Sequence, residues 1–380
     1  MQSIRTDRVL FYTVVVMVCF GLVMVASACS VTVELKEGAG KAWFFIAKQL
    51  GAAVLGFAVL MWVKRMDYRR FQDPVWAFAP LGLVVALLVA VYFLDVRRHR
   101  WLTLGSFQLQ PSEFAKPALV IFLAWFVTQR LRAINDRHTL LPALLALGVL
   151  GGVVVAADLG TALVLVATAA IVFYVAGLER RLLAGALAGC ALLGVIAICA
   201  KPYRVARIIG YLDPEFRLLD TIDPAGRIKS YIKTSMASRD PSYQARQSRI
   251  AVGSGGVLGV GLMEGKQKLL YLPEAHTDFI YAVIGEELGI WGCSLVLLGF
   301  FVVLWRGLRL FWLAGDDFGR YLALGITASL VVQALMNISV VLDIGPTKGI
   351  PLPLISYGGS SLLSSLISLG MLLSVSEQCG

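Results

Sequence analysis

A series of apolar stretches, each close to twenty residues long, runs through this 380-residue chain. A helix of about 20 apolar residues is long enough to cross the hydrocarbon core of a bilayer. Hydrophobic residues make up 58% of the chain and charged residues only 15%, whereas a soluble protein of this size carries more charge. We therefore predict an all-α polytopic membrane protein. Its ten predicted helices cover 9–30, 43–63, 75–94, 113–129, 140–157, 160–178, 182–200, 277–304, 320–342 and 352–376.

The distribution of Lys and Arg predicts the orientation. With the N-terminus in the cytoplasm, the inner connections hold fourteen Lys and Arg, and the short outer connections hold six. Because cytoplasmic loops are enriched in these residues, both termini are predicted to be cytoplasmic. The connection 201–276 then becomes a large extracytoplasmic loop between helices 7 and 8. We expect the whole chain, 1–380, to form one transmembrane domain that includes this loop.

The long outer loop is basic, with twelve Lys or Arg against seven Asp or Glu, in a chain whose net charge is +10. Loops of this length are translocated largely regardless of their charge, so the predicted orientation stands. The basic excess indicates either a negatively charged substrate or attraction to anionic lipid, and composition does not separate the two. Nucleic acid is not expected as a partner, because the basic loop would lie outside the cell.

The stretch 273–289, PEAHTDFIYAVIGEELG, places an Asp where this loop becomes a membrane helix. If the helix extends through the stretch, Asp278, Ala282, Gly285 and Gly289 share one face, which another helix or a ligand can approach closely. The carboxylate then lies above an outer cavity as a functional group. The structural alternative is a helix cap that also interacts with the helix dipole.

Three more charged residues lie inside or at the ends of apolar stretches. Glu113 and Lys116 are three residues apart, just after Pro111, which suits the start of a helix. They form either a mutual salt bridge or a polar wall of a water-filled cavity. Asp158 lies between two adjacent predicted helices, where a lone carboxylate can cap the second one.

The last outer connection, 345–361, holds three prolines and four glycines. Such a segment cannot form a regular lipid-facing helix and is tolerated only where protein or a water-filled cavity covers it. Its Lys348 thus joins Asp278 and Lys116 in a predicted polar vestibule at the outer surface.

Two other patterns predict little chemistry. The six cysteines include no C-x-x-C pair and no Cys/His cluster, so we expect neither a disulfide framework nor a zinc site. The glycine-rich stretch 253–261 lacks the Lys-Ser/Thr of a phosphate-binding loop, and we interpret it as a tight irregular loop.

Several motifs together resemble the SEDS family of bacterial cell-wall polymerases, in order and spacing and over nearly the whole chain. The motifs are Arg100-Trp101…Gly105…Gln110-Pro111-Ser112-Glu113…Lys116, Asp158-Leu159-Gly160-Thr161, Pro273-Glu274-Ala275-His276-Thr277-Asp278-Phe279 and Ser356-Tyr357-Gly358-Gly359-Ser360-Ser361. Within the family the chain is more similar to the division member, FtsW, than to the elongation member, RodA. That distinction rests on four stretches, which are 203–214, 267–273, 284–287 and 346–349.

The resemblance implies polymerisation of glycan strands from lipid II, a disaccharide-pentapeptide on undecaprenyl pyrophosphate. It places the site on the outer side of the bacterial cytoplasmic membrane. The essential Asp of the family falls on Asp278, which would act as the general base when a sugar 4-hydroxyl attacks the anomeric carbon with inversion. The implied substrate-binding residues are Arg100, Glu113, Lys116, Asp158, Arg207, Arg246, His276, Thr277, Lys348 and Ser356.

The resemblance also implies partners. The pyrophosphate leaving group needs positive charge, from vestibule Lys and Arg, from a divalent cation, or from both. Further candidate cations are Arg204, Arg249 and Lys268, and no other cofactor is expected. Besides lipid II and the nascent glycan strand, the expected partners are a class B penicillin-binding transpeptidase and other divisome proteins.

Two functions of other classes compete with this one. A lipid II flippase would need a charged path across the bilayer, commonly with broken helices in repeated halves. The polar residues here cluster towards the outer helix ends, and no internal repeat is evident. A non-catalytic division scaffold differs in one respect, because it should tolerate Asp278→Asn.

Overall fold

The computed structural model describes residues 7–37, 41–95, 100–104, 107–212, 241–269, 271–346 and 348–378. Its α-helices are α1 (Arg8–Glu37), α2 (Lys41–Arg65), α3 (Pro74–Leu94), α4 (Pro111–Arg130), α5 (Arg137–Ala157), α6 (Leu159–Val175), α7 (Arg180–Cys199), α8 (Pro202–Leu212), α9 (Pro241–Gly255), α10 (Ile280–Leu313), α11 (Asp317–Val341) and α12 (Gly359–Gln378). Short 3-10 helices cover Tyr68–Gln72 and Leu131–Ala133. A hairpin of β1 (Leu102–Leu104) and β2 (Phe107–Leu109) pairs antiparallel, with Thr103 opposite Gln108.

Within the described residues, nine helices are long and apolar enough to cross a membrane, and α6 is a shorter apolar helix of 17 residues. Together they match the ten predicted stretches and confirm the all-α polytopic fold, including the division of 140–178 at Asp158. Several boundaries differ. The helices predicted to end at 30 and 304 extend to Glu37 and Leu313. The helix predicted from 277 begins at Ile280, and the helix predicted from 352 begins at Gly359, because irregular segments precede both.

Aspartates define several helix starts. The side chains of Asp73, Asp136, Asp158 and Asp316 each accept a backbone N–H from the first turn of α3, α5, α6 and α11. The first turn of a helix has N–H groups without a partner in the helix, and a short acidic side chain satisfies them.

Burial separates an interior from a periphery. Helices α4, α11 and α12 are buried over most of their length, whereas no residue of α7 is buried. Large apolar side chains such as Trp43 and Trp312 are about three-quarters exposed, at 73% and 77%. A lipid-facing surface consists of such side chains, since lipid tails are as apolar as the residues themselves.

The first and the last described residues lie at the same end of the bundle. Asp7 pairs with Arg306 at 2.6 Å, and its backbone N–H donates to Ser376 Oγ at 3.0 Å. Lys64, at the end of α2, pairs with Glu377 at 3.0 Å. The two termini therefore share a side, as an even number of spans requires. Its assignment to the cytoplasm remains a prediction.

At the opposite end, cations anchor α8. Arg204 donates through Nη2 to the Val155 carbonyl at 2.7 Å and through Nη1 to the Ala197 carbonyl at 3.1 Å. Lys201 Nζ lies 3.5 Å from the Ala156 carbonyl. These carbonyls belong to the last turns of α5 and α7, where positive charge interacts favourably with the helix dipole.

Helix α9 packs closely against α10. A Cβ on Gly255 would lie 1.9 Å from the Gly285 carbonyl oxygen, so only glycine allows this approach. This contact confirms that Gly285 belongs to a face another helix can approach. The predicted face does not continue to Asp278 or Gly289, because 273–279 is irregular and Gly289, with φ 63° and ψ −155°, interrupts α10. The glycine-rich stretch 253–261 completes α9 and then forms the predicted irregular loop.

A buried ion pair attaches the segment between α9 and α10 to α10 itself. Lys268 Nζ lies 2.6 Å from Glu287 Oε1 and donates to Ser27 Oγ on α1 at 2.9 Å, and both charged side chains are almost completely buried. The neighbouring Glu286 accepts the backbone N–H of Lys266 at 2.8 Å. A buried charge needs such partners because desolvation penalises it heavily. The loop that leads to Asp278 is therefore held from two sides.

Candidate functional site

Asp278 lies two residues before α10, at the end of the bundle opposite the two termini. The N-cap of α10 is Phe279, and no side chain caps it. Within the described part of the chain, no donor lies within hydrogen-bond distance of the Asp278 carboxylate. The helix-cap interpretation of this Asp is therefore wrong, and the carboxylate is available for another role.

The surroundings of Asp278 favour its protonated form. Burial raises the pKa of Asp278 from 3.8 to about 7, although its side chain keeps some accessible surface. The positive charges of Arg100 and Arg207 act in the opposite direction, and the carboxylates of Glu274 and Asp158 add to the increase. A carboxyl group that titrates near neutral pH is suited to accept and release a proton.

Arg100 links three segments at this end of the bundle. Its Nη2 lies 2.9 Å from Asp158 Oδ2 and 3.4 Å from the carbonyl oxygen of Gly349. Asp158 also accepts the backbone N–H of Gly160 at 2.9 Å, so the predicted cap of α6 is confirmed and the same side chain binds Arg100. Gly349 is close to Asp278, since a Cβ there would lie 2.7 Å from Asp278 Oδ2.

Two more predicted cations act on this region. Arg207, on α8, lowers the pKa of Asp278. Burial lowers the pKa of Lys348, Asp158 acts to raise it, and Arg204 and Arg207 lower it further. Arg100, Arg207 and Lys348 therefore bring positive charge to a region that also contains the carboxylates of Asp158 and Glu274.

Of the other predicted cations, Arg204 acts on this region through Lys348, and Arg246, Arg249 and Lys268 lie outside it. Arg246 is exposed on α9 and forms no ion pair with another described residue. Arg249 pairs with Asp343 at 3.2 Å. Lys268 is buried against Glu287, and Arg204 binds the helix ends described above.

Glu113 and Lys116 lie deeper, inside α4, and each is no more than 5% exposed. Lys116 Nζ is 2.7 Å from Glu113 Oε2, which confirms the predicted salt bridge. Lys116 also donates to Gln333 Oε1 on α11, and Gln333 Nε2 donates to the Pro351 carbonyl at 2.8 Å. The ion pair is thus connected through Gln333 to the segment that contains Pro351, and neither residue forms a hydrogen bond with Asp278.

His276, Thr277 and Ser356 contribute contacts within the protein. The His276 ring packs edge-on against Phe45 and Tyr357, with centroids 6.5 and 5.6 Å apart. The Thr277 hydroxyl donates to the Glu274 carbonyl at 3.2 Å. The Ser356 hydroxyl donates to the Thr277 carbonyl and accepts the backbone N–H of Leu352 at 2.8 Å.

Backbone strain is concentrated in the connections around the site. Among the described residues, four that are not glycine have φ in the left-handed region, which L-residues rarely adopt. These are Met263 (φ 72°), Glu274 (φ 57°), Asp343 (φ 58°) and Leu354 (φ 66°). Such conformations persist where the surrounding structure enforces them, and they are common at functional sites.

Sequence reasoning missed the amide side chains that organise these segments. Gln49 Nε2 donates to the Ser356 carbonyl at 3.3 Å, and its Oε1 accepts the Gly358 N–H at 3.1 Å. Asn337 Nδ2 donates to the carbonyls of Asp278 and Ile350, each at 2.7 Å. Polar residues within apolar stretches commonly bind neighbouring segments, and this signal was available for both residues.

For a divalent cation, the described residues contain no group of three or more His, Cys, Asp or Glu placed to hold one.

The fold and site define a class of protein, a polytopic helical membrane protein with a protonatable carboxyl group among cations at one end of its bundle. A family model described as "Cell cycle protein", which covers FtsW, RodA and SpoVE, matches residues 7–379. The chain belongs to this family, which confirms the resemblance predicted from its motifs.

Individual relatives support the same family assignment. The chain is 38% identical to the probable peptidoglycan glycosyltransferase FtsW of Trichlorobacter lovleyi, over 97% of this chain and 93% of that one. It is 35% identical to stage V sporulation protein E of Bacillus subtilis, over 98% and 97%.

Solved structures share the fold. One is a chain from the structure titled "Structural coordination of polymerization and crosslinking by a peptidoglycan synthase complex". It matches this chain with a TM-score of 0.73 and 27% identity, over 98% of both chains. The rod shape determining protein RodA of Thermus thermophilus matches with a TM-score of 0.66 and 26% identity, over 98% of this chain and 96% of that one.

Proposed function

We propose that this protein is a peptidoglycan glycosyltransferase that polymerises glycan strands from lipid II, with Asp278 as its general base. The observation that carries the proposal is the state of Asp278. Its carboxylate has no hydrogen-bond donor among the described residues, and its pKa is raised to about 7 beside Arg100 and Arg207. The name of the FtsW relative supports the reaction class.

In the proposed reaction, Asp278 accepts the proton of a sugar 4-hydroxyl while the oxygen attacks the anomeric carbon of a second lipid-linked sugar. The new C–O bond forms as the bond to the pyrophosphate oxygen breaks, so the anomeric configuration inverts. A pKa near the working pH lets the carboxylate accept the proton and then release it to solvent. The leaving pyrophosphate gains negative charge, and Arg100, Arg207 and Lys348 are the groups we assign to stabilise it.

We assign the other predicted residues to shaping the site. Asp158 orients Arg100, and Glu113 with Lys116 orients Gln333. His276, Thr277 and Ser356 hold the segment that carries Asp278, and Arg246 is left to contact lipid or a partner at the surface. A divalent cation bound with the pyrophosphate remains an additional source of positive charge.

The proposal includes a location and partners. The side that carries Asp278 is assigned to the outer surface of a bacterial cytoplasmic membrane, on the Lys and Arg distribution. We propose a class B penicillin-binding transpeptidase as partner, acting on the nascent strand within the divisome. The structural likeness to a chain of a peptidoglycan synthase complex and the FtsW relatives support this assignment.

The test is polymerisation of lipid II by the purified protein in detergent, with and without a cognate transpeptidase. Wild type is compared with Asp278→Ala, Asp278→Asn and the control Asp343→Asn. Asp343 is another outer carboxylate, and Asn accepts its left-handed backbone readily. We expect glycan strands from wild type and the control, and none from the two Asp278 variants.

The alternative outcomes are distinct. Equal products from all four proteins would remove Asp278 from the mechanism. If wild type with its partner makes no strands, transport of fluorescent lipid II across vesicles that contain the protein would support a flippase. Inactivity in both assays would leave a scaffold.

A further inference from the structure

We propose that Asn337 and Ser356 are positioning residues, which hold the backbone of residues 276–278 and thereby set where the Asp278 carboxylate lies. The inference rests on the proposed function, because it concerns the geometry of the proposed base. Neither side chain forms a hydrogen bond with the Asp278 carboxylate. Both act through the main chain that carries it.

The starting observation is that three successive carbonyls are bound from outside their own segment. The carbonyl of His276 accepts the Tyr357 N–H at 2.9 Å, and the Thr277 carbonyl accepts the Ser356 hydroxyl. The carbonyl of Asp278 accepts Asn337 Nδ2 at 2.7 Å. Residues 273–279 form no regular element, so these bonds replace the helix or strand that would otherwise fix the chain.

Asn337 joins two irregular segments to one rigid helix. Its Nδ2 donates at 2.7 Å both to the Asp278 carbonyl and to the Ile350 carbonyl. Carbonyl oxygens accept and never donate, so this arrangement fixes which end of the amide faces them. The side chain is 1% exposed, and such buried bonds are not exchanged with solvent.

One turn earlier on α11, Gln333 binds the same outer segment. Its Nε2 donates to the Pro351 carbonyl, while Lys116 donates to its Oε1. Lysine has no acceptor, so Lys116 fixes the orientation of the Gln333 amide. The segment next to Asp278 is therefore held at two consecutive carbonyls, those of Ile350 and Pro351.

Ser356 completes the arrangement. Its hydroxyl donates to the Thr277 carbonyl and accepts the N–H of Leu352, and the residue is 4% exposed. Its one proton is donated inside the protein, so the hydroxyl cannot donate to a substrate. Ser356 thus positions the Asp278 segment, where the sequence had suggested substrate binding.

The consequence follows from the tight contact at Gly349. A Cβ on that residue would lie 2.7 Å from Asp278 Oδ2, so the carboxylate is placed within a narrow space. A displacement of about 1 Å in a catalytic group can lower the rate about 100-fold. Loss of the carbonyl contacts should therefore lower kcat and leave substrate affinity nearly unchanged.

The test uses Asn337→Asp and Ser356→Ala, with Thr327→Val as the matched control. Asn337→Asp keeps the shape but presents a carboxylate, which cannot donate, to two carbonyl oxygens. Thr327→Val is also nearly isosteric and buried on α11, and Thr327 donates only to the Ala323 carbonyl of its own helix. Two readouts are measured, lipid II polymerisation and hydrogen–deuterium exchange of peptides that contain 271–279 and 348–357.

We expect kcat to fall about 10- to 100-fold in both variants, with KM within about twofold of wild type. Exchange should increase in both peptides, and neither change should occur in Thr327→Val. Wild-type kcat in Asn337→Asp and Ser356→Ala, or a rise in KM at constant kcat, would overturn the proposal. If Asn337→Asp fails to fold, Ser356→Ala decides.

The two proposals fail in different ways. If wild type makes no glycan strands, the proposed function fails, and exchange still reports whether Asn337 and Ser356 hold the two segments. If wild type is active and exchange of 271–279 does not change in the variants, the positioning roles fail while the polymerase assignment stands.

Discussion

Replacing the proposed base should stabilise the protein, because Asp278 is kept in surroundings that disfavour its charged form. The pKa of Asp278 in the folded state, about 7, lies above its unfolded value of 3.8. Between these pH values the folded state binds more protons than the unfolded state, so stability falls as pH rises through this window. Asp278→Asn removes the titrating group, and the loss of stability with rising pH should disappear with it.

The difference of about three pH units corresponds to about 4 kcal/mol, at about 1.4 kcal/mol for each unit. That figure is an upper limit, because the Asp278 side chain keeps some accessible surface and solvent screens its charge. We expect the gain in free energy of unfolding for Asp278→Asn to be about 1 to 3 kcal/mol above pH 7.5. The gain should shrink below pH 7 and vanish near pH 4.

The assay is unfolding of the detergent-solubilised protein by heat and by denaturant, from pH 4 to pH 8.5. Asp343→Asn serves as the control, since its carboxylate pairs with Arg249 and its loss should bring no gain. A pH-independent gain in Asp278→Asn would show that something other than the charge was relieved. Equal stability of wild type and Asp278→Asn at pH 8 would refute the reasoning.

Two further predictions concern Asp278 and its neighbour Gly349, and a third concerns the buried ion pair of Lys268 and Glu287. The kcat/KM for lipid II polymerisation should rise with pH to a plateau with its midpoint near 7, the pKa of Asp278, and a midpoint near 4 would contradict the assigned base. Gly349→Ala should lower polymerisation at least about tenfold, because its Cβ would lie 2.7 Å from Asp278 Oδ2. In the control Gly345→Ala the nearest atom is 3.8 Å from the new Cβ, and a comparable loss there would show that the outer segment tolerates no change. Lys268→Met and Glu287→Gln should each cost about 3 to 5 kcal/mol of unfolding free energy by leaving a buried charge unpaired. The double variant should cost less than the sum, and additive losses in this denaturation cycle would show that the two groups do not interact.

Much of the architecture could be predicted from the sequence, since apolar length and charge placement act locally. A helix in a bilayer satisfies its own backbone hydrogen bonds, so about 20 apolar residues predict a span without knowledge of its neighbours. The split at Asp158 and the pairing of Glu113 with Lys116 were also predictable, because each depends on residues within one helical turn.

The site could be predicted in part. The position of Asp278 near the start of a membrane helix and the irregular segment 345–361 were visible in the sequence. The helical extension through Asp278 was wrong, because long-range bonds from Tyr357, Ser356 and Asn337 hold that segment in turns. Propensity and periodicity describe neighbours along the chain and contain no information about such partners.

From the sequence alone it was possible to predict a polytopic membrane protein, the approximate spans, and a small set of polar residues capable of chemistry. Tertiary structure decided which of these residues meet. It brought the positive charges of Arg100 and Arg207 to Asp278 and placed Lys348 near Asp158 and Arg207. It left Arg246 exposed on α9 and used Ser356 inside the protein. The physical reason is separation along the sequence. The free energy of a buried charge or amide depends on partner groups that the fold brings from far along the chain, and local sequence patterns do not show those partners.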